Sequence, residues 1–214
     1  MKVLIAENSI VSHFVAELRS VELQKDSWRF RKNLERIGEV LAYEISKSLE
    51  YSFHTITTPL GKTTVAQVNT QPVLAVVLRA GLPLYQGFLH FFDRAESVFI
   101  AAYRSPPDKN HSFEVKMDYL SGPSIEKKNL ILIDPMLATG KSLLKSYEAI
   151  LQYGKPDKVF IASVIASKAG VEYVQQNLPE AAIFTAALDD QLNHKYYIVP
   201  GLGDAGDLAF GSKI

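Results

Sequence analysis

Five short segments of this chain are apolar without the polar alternation of a half-exposed strand: residues 72–78 (PVLAVVL), 97–103 (SVFIAAY), 130–133 (LILI), 158–166 (KVFIASVIA) and 182–187 (AIFTAA). A strand that is apolar on both sides needs cover on both faces. Stretches of helical character separate them, over 81–92, 142–153 and 170–177. Unbroken strands alternating with helices predict an α/β fold, a parallel β-sheet flanked by helices. At 214 residues and 47% hydrophobic, the chain can bury a full core. No repeat or long linker divides it, so a single domain over 1–214 is expected. A further amphipathic helix is predicted over 27–50, where Phe30, Leu34, Ile37, Leu41, Ile45 and Leu49 recur at helical spacing. Residues 52–68, rich in Thr and broken by Pro59 and Gly61, predict a strand or hairpin.

Two stretches break the alternation. Residues 105–123 are polar and contain Pro106 and Pro107, which predicts a long loop of lid type. Residues 197–211 (YIVPGLGDAGDLAFG) hold four glycines and two aspartates, which predicts backbone turns rather than a regular element. Ligands of open parallel sheets bind at the carboxyl ends of the strands. That rule points to Arg79, Ala80 and Gly81, to Arg104, to 134–142 and to 167–170.

Bulk properties remove several classes of function. Lys+Arg and Asp+Glu are both 23, so the formal net charge is zero and no global field recruits nucleic acid or an anionic membrane. No basic stripe or DNA-binding helix pair is present in the sequence, so no nucleic-acid role is expected. The absence of cysteine excludes thiol nucleophiles, thiolate metal sites and disulfides. The start, MKVLIAENSIVSHF, makes a poor signal peptide. No run approaches the ~20 apolar residues of a membrane helix. A cytoplasmic protein is expected.

The strongest chemical signal is at 130–142. A buried strand stops at Asp134 and a loop of small residues, Pro135, Ala138, Thr139 and Gly140, leads into a helix. Free backbone N–H groups and the positive helix end then face one point, which suits a phosphate. The Asp134 carboxylate beside it suits ribose hydroxyls or a metal ion, and Thr139 and Ser142 can donate hydroxyls. Two Gly-Lys-Ser/Thr tripeptides, at Gly61 and Gly140, lack the glycine that an ATP-binding P-loop has five residues earlier; Ile56 and Pro135 stand there. Arg79 and Arg104 each follow an apolar strand and could clamp a diphosphate through their forked donors. His13, His54, His90, His111 and His194 show no metal-ligand spacing and are expected to be surface or structural. Tyr85, Phe88, Phe91, Phe92 and Trp28 are expected to pack at helices.

Three blocks in the same order, 77–87 (VLRAGLPLYQG), 134–142 (DPMLATGKS) and 197–211, resemble the uracil phosphoribosyltransferase family, as does the helix RFRKNLERIGEVLAYE. The resemblance implies a type I phosphoribosyltransferase core with a small hood formed by the N- and C-terminal segments. It implies transfer of ribose 5-phosphate from phosphoribosyl pyrophosphate (PRPP) to uracil, giving UMP and pyrophosphate, with Mg2+ carried by PRPP and no metal bound directly by side chains. By position, Asp134, Pro135, Met136, Leu137, Ala138, Thr139, Gly140, Lys141 and Ser142 would hold the ribose 5-phosphate half of PRPP. Arg79 and Arg104 would hold its pyrophosphate. Ile198, Gly203, Asp204 and Ala205 would frame uracil, with Asp204 also facing PRPP and, with Arg79 and Arg104, serving catalysis. The loop at 105–123 would close to exclude water. A homodimer or higher homo-oligomer is implied. Lys141 stands where the family has a second glycine. A regulator that senses PRPP or a nucleotide on the same fold, with little turnover, is the alternative.

Overall fold

The computed structural model describes residues 1–104 and 115–212. The chain opens with strand β1 (Lys2–Val3) and helix α1 (Val11–Arg19). Helix α2 (Ser27–Ser46) starts where the Asp26 carboxylate accepts from the Arg29 N–H at 3.0 Å, an N-cap, and buries the expected stripe from Phe30 to Ile45. It stops four residues short of the predicted Glu50. Strands β2 (Tyr51–Thr58) and β3 (Gly61–Val68) pair as a hairpin that forms a sheet of its own. The Thr58 hydroxyl accepts from the N–H groups of Leu60 and Gly61, which fixes the turn. No residue of the hairpin is buried, and Phe53 and Leu60 are exposed.

Besides β1, the main sheet holds seven strands among the described residues, five of them from the apolar runs. They are β4 (Val73–Leu78), β5 (Glu96–Arg104), β6 (Val115–Ser121), β7 (Asn129–Ile133), β8 (Met136–Leu137), β9 (Lys158–Ser167) and β10 (Ala182–Asp189). Their order is β1-β10-β9-β7-β4-β5-β6, with β8 beside β9. Helix α3 (Gly81–Phe91) connects β4 to β5, α4 (Lys141–Ile150) precedes β9, and α5 (Lys168–Asn177) connects β9 to β10. Alternate strand residues separate two cores, as the period of two requires. Leu74, Val76, Ile131 and Ile133 join the core of α1, α2 and α3, whereas Val73, Ala75, Leu130 and Leu132 join the core of α4 and α5.

The sheet is parallel except at one edge, where β6 runs antiparallel to β5. The mostly parallel sheet bears out the expected α/β fold, while β6 corrects the expectation of a loop across 105–123. Residues 115–121 are a strand whose Met117 and Leu120 pack on the core, while Asp118 and Tyr119 face solvent. An edge strand tolerates that polarity, which reads as loop in the sequence. Residues 105–114, the rest of the predicted lid, lie outside the described residues.

The glycine-rich tail is also more regular than expected. After β11 (Gln191–Leu192) and β12 (Ile198–Val199), which pair antiparallel, it forms helix α6 (Ala205–Phe210). The Asp204 carboxylate caps this helix, accepting from Gly206 N–H at 2.9 Å and Asp207 N–H at 3.0 Å. A side-chain cap thus makes a helix from residues whose composition reads as turn. Among the described residues, no helix is long and apolar enough to cross a membrane.

Candidate active site

Because β10, β9, β7 and β4 are neighbours and parallel, the residues at or just past their carboxyl ends line one rim: Asp189, Ser167, Asp134 and Arg79. The 134–142 loop is built on this rim. The Asp134 N–H donates to Ala162 O at 3.1 Å, and Pro135 O accepts from the N–H groups of Val164 and Ile165. The chain then runs beside β9 as β8. The Asp134 carboxylate also accepts from Met136 N–H at 3.1 Å, a local turn bond.

The second half of the loop leans on the start of α5. The Ser167 hydroxyl donates to Ala138 O at 2.5 Å and accepts from Gly170 N–H at 2.9 Å, so one side chain caps α5 and fixes the loop. Two glycines allow the approach. A Cβ at Gly170 would lie 2.2 Å from Ala138 O, and one at Gly140, where φ is +75°, would lie 2.9 Å from Gly170 O. Gly140 precedes α4 and offers no side-chain cap; the first helical N–H, that of Lys141, donates to the Thr139 hydroxyl at 3.4 Å, and the helix's positive end faces the loop. Lys141 is the first helical residue and is exposed. The sequence marked 167–170 by the strand-end rule alone; the loop-fixing role of Ser167 and Gly170 rests on contacts that only the fold creates.

Arg79 follows β4 and reaches the tail. Its Nη2 donates to Asp207 Oδ1 at 3.1 Å and to Gly211 O at 3.2 Å. The pair is partly open to solvent, so its net contribution to stability is small, about 0–1 kcal/mol. Its importance is geometric: the strand-end guanidinium stands on α6, the helix capped by Asp204. Gly81, just beyond, packs so close to the end of β7 that a Cβ there would lie 3.2 Å from Ile133 O. Arg79 is thereby set beside both the 134–142 loop and the tail. Arg104 ends β5, paired with Val115.

The 198–205 segment forms a turn whose backbone is held from outside. Ile198 is buried, Gly203 is exposed with φ +96°, and Ala205 is buried at the start of α6. Gly201 N–H donates to Asp189 Oδ2 at 2.8 Å, and Gly201 O accepts from Arg19 Nη1 at 3.0 Å. Neither Arg19 nor Asp189 was singled out from the sequence. Asp189 carries the signal that marked Asp134, an acid ending an apolar strand; Arg19 carries none.

Helix α1, which ends with Arg19, is tied to α2. Glu17 accepts from Arg29 Nη2 at 2.5 Å, Arg29 Nε at 2.8 Å and Asn33 Nδ2 at 2.6 Å. The Arg29 hydrogen bonds, then that of Asn33, hold the Glu17 carboxyl down at about 2.

Two aromatic expectations fail. Trp28 is 64% exposed and Phe91 49%, while Tyr85, Phe88 and Phe92 are buried as expected. Trp28 lies on the first turn of α2 and lines an open groove with Leu82, Pro83 and Phe210 rather than packing in the core. Among the described residues, one group of side chains has metal-ligand proximity, Glu35, Glu39 and His90. It involves the end of α3 opposite to Arg79, outside the rim. The His90 spacing that looked isolated in sequence is closed by packing of α3 on α2.

Solved structures with this architecture define its class. The orotate phosphoribosyltransferase of Mycobacterium tuberculosis, solved in complex with PRPP, shares the fold at a TM-score of 0.52 and 14% identity, over 85% of this chain and 90% of that one. The fold is of the phosphoribosyltransferase type. A protein of Aquifex aeolicus superposes more fully, with a TM-score of 0.86, 29% identity and 97% of each chain covered. Sequence narrows the class: residues 5–212 match the family described as uracil phosphoribosyltransferase. A uracil phosphoribosyltransferase of Porphyromonas gingivalis is 47% identical over 210 residues, 98% of this chain and 97% of the relative. This chain belongs to the uracil phosphoribosyltransferase family.

Proposed function

We infer that this chain transfers the ribose 5-phosphate of PRPP to uracil, releasing pyrophosphate and forming UMP. It is a pentosyltransferase of pyrimidine salvage. The observation that carries the assignment of roles is the contact of Arg79 with Asp207 and Gly211. It sets a cation suited to a leaving pyrophosphate against the helix that begins at the base loop. The two ends of one displacement are then adjacent.

Asp134, Pro135, Met136, Leu137, Ala138, Thr139, Gly140, Lys141 and Ser142 cradle the ribose 5-phosphate. The Asp134 carboxylate accepts from ribose hydroxyls, and backbone N–H groups at the start of α4 take the phosphate. Arg79 leaves Asp207 and Gly211 for the pyrophosphate, joined by Arg104. Ile198, Gly203, Asp204 and Ala205 present backbone groups to the edge of uracil. Cytosine is rejected because its amino group leaves those groups unpaired. Positive charge grows on the sugar as pyrophosphate departs, and the Asp204 carboxylate stabilises it. Most of the acceleration comes from positioning and electrostatics, without a covalent intermediate.

Mg2+ is bound in enzymes of phosphate substrates by one or two carboxylates plus the phosphates themselves. Among the described residues, Asp134 at the rim and Asp204 at the cap of α6 are not members of a carboxylate cage, and they fit an ion carried by PRPP. When bound, Mg2+ supplies positive charge to the leaving pyrophosphate. Charged PRPP does not cross membranes unaided, so a cytoplasmic location goes with this function. A second copy of the chain is the proposed partner. A lone two-stranded hairpin is marginally stable, and Phe53, Ile56 and Leu60 on β2 and its turn are exposed, which supports cover by a neighbour.

The test is to mix the protein with PRPP, Mg2+ and each of uracil, cytosine, hypoxanthine and adenine, and to measure nucleotide and pyrophosphate. UMP and pyrophosphate in equal amounts, from uracil far faster than from the other bases, is the expected result. No UMP would overturn the enzyme; equal rates for all bases would overturn the uracil assignment.

A further inference from the structure

Gly201 lies in the middle of the 198–205 segment, and both of its backbone polar groups are taken by side chains from distant parts of the chain. Its N–H donates to Asp189 Oδ2 at 2.8 Å and its carbonyl accepts from Arg19 Nη1 at 3.0 Å. The two side chains also bind each other in a fork, Arg19 Nη1 to Asp189 Oδ2 at 2.8 Å and Nη2 to Oδ1 at 2.7 Å. The last residue of α1, the last residue of β10 and the turn thus close one ring. Asp189 is 6% exposed and the Arg19 side chain 22%, so water competes little.

The turn itself is tight. Gly201 has φ +56°, and a Cβ there would lie 2.1 Å from Ile198 O. The ring therefore holds the chain folded back on Ile198, three residues before it, and aims Gly203, Asp204 and Ala205, two to four residues after it. The anchor is braced in turn. Glu17 ties α1 to Arg29 and Asn33, and the Gln24 amide, oriented with its nitrogen toward the carbonyls, bridges Leu18 O and Leu202 O at 2.9 Å each. Because the polar groups of Gly201 are consumed by the ring, they are not available to a base. Their effect on recognition runs through the shape of the loop.

We propose that Arg19 and Asp189 are positioning residues for the base: by clamping both backbone groups of Gly201 they set the geometry in which 198–205 recognises the pyrimidine edge. The proposal rests on the assignment of that segment to uracil. A misplacement of about 1 Å can cost on the order of a hundredfold in rate. Lysine cannot replace Arg19, since a point ammonium lacks the fork that serves a carboxylate and a carbonyl together.

The experiment compares wild type with Asp189→Asn and Arg19→Lys, varying uracil and PRPP separately and recording melting temperatures. We expect KM for uracil to rise on the order of tenfold in both variants, with KM for PRPP within about twofold of wild type. A folded variant with unchanged KM for uracil, or with both KM values raised together, overturns the clamp. If Asp189→Asn does not fold, Arg19→Lys, which keeps the charge, decides. Wild type supplies a check that needs no variant: the Gly201 amide, though in a turn, exchanges with deuterated water as slowly as amides of β10. Fast exchange overturns the proposal. A wild type that forms no UMP yet protects this amide would count against the uracil assignment and not against the clamp.

Discussion

The loop after β7 and the loop before α6, which the proposed function assigns to the two halves of one reaction, hold their shapes by different means. The 134–142 loop is built by its own neighbours: β8 runs along β9, Ser167 ties Ala138, and Gly140 and Gly170 allow a close backbone approach. The 198–205 loop is held by a largely buried ion pair from α1 and β10, 182 and 12 residues from Gly201 in sequence. A phosphate carries its own charge and needs little more than converging N–H groups, which a strand, loop and helix provide in any member of this architecture. A neutral pyrimidine is told apart by the placement of a few backbone donors and acceptors, so the scaffold must fix that placement with side chains. The first design is generic and the second specific.

The contrast can be broken from either side. The largest effect is expected from Arg79→Ala. Loss of a charge-assisted contact to the pyrophosphate should lower kcat/KM for PRPP by roughly a hundredfold, with KM for uracil little changed. Steady-state kinetics with each substrate varied would show it, and unchanged PRPP kinetics would remove Arg79 from the pyrophosphate site. Gly170→Ala comes next. The added methyl meets Ala138 O, and overpacking of this kind costs about 1–3 kcal/mol, read as a lower melting temperature and a KM for PRPP raised about tenfold. Lys141→Ala should raise KM for PRPP by only about threefold, the effect fading at high salt as expected of an exposed charge. A rise in KM for uracil instead would place Lys141 outside the phosphate site.

The smallest effect on activity belongs to Glu17→Gln, which acts on the brace behind the clamp. The folded carboxyl titrates at about 2, below its ordinary 4.5, because Arg29 and Asn33 donate to the ionised form. A depressed carboxyl contributes stability that is present above pH 4.5 and is lost as pH falls toward 2. The glutamine variant should be less stable than wild type at neutral pH and should lose less between those two values. Melting temperatures across that range test it; parallel curves would show that Glu17 carries none of the acid dependence.

What was legible in the sequence follows the same division. The strand, loop and helix proposed to hold the phosphate could be read because their signal is local: an apolar strand, an acid, small residues and a helix start lie within 130–142. The sheet could be read because its strands are apolar on both faces. The polar edge strand β6 was hidden because only Met117 and Leu120 pack inward. Helix α6 was hidden because the glycines of 197–211 outweighed the capping signal of Asp204. Arg19 was not legible at all, since an arginine at a helix end is ordinarily solvated and its partners lie far along the chain. The exposed Trp28 failed for the opposite reason: a large aromatic suggests a core that the first turn of α2 does not reach.

The most direct test of two half-sites built in different ways is a crossed kinetic measurement on Gly170→Ala and Asp189→Asn, with UMP formation followed while each substrate is varied in turn. The account predicts that Gly170→Ala raises KM for PRPP and leaves that for uracil, while Asp189→Asn does the reverse. Both variants raising the same constant, or each raising both equally, would contradict it.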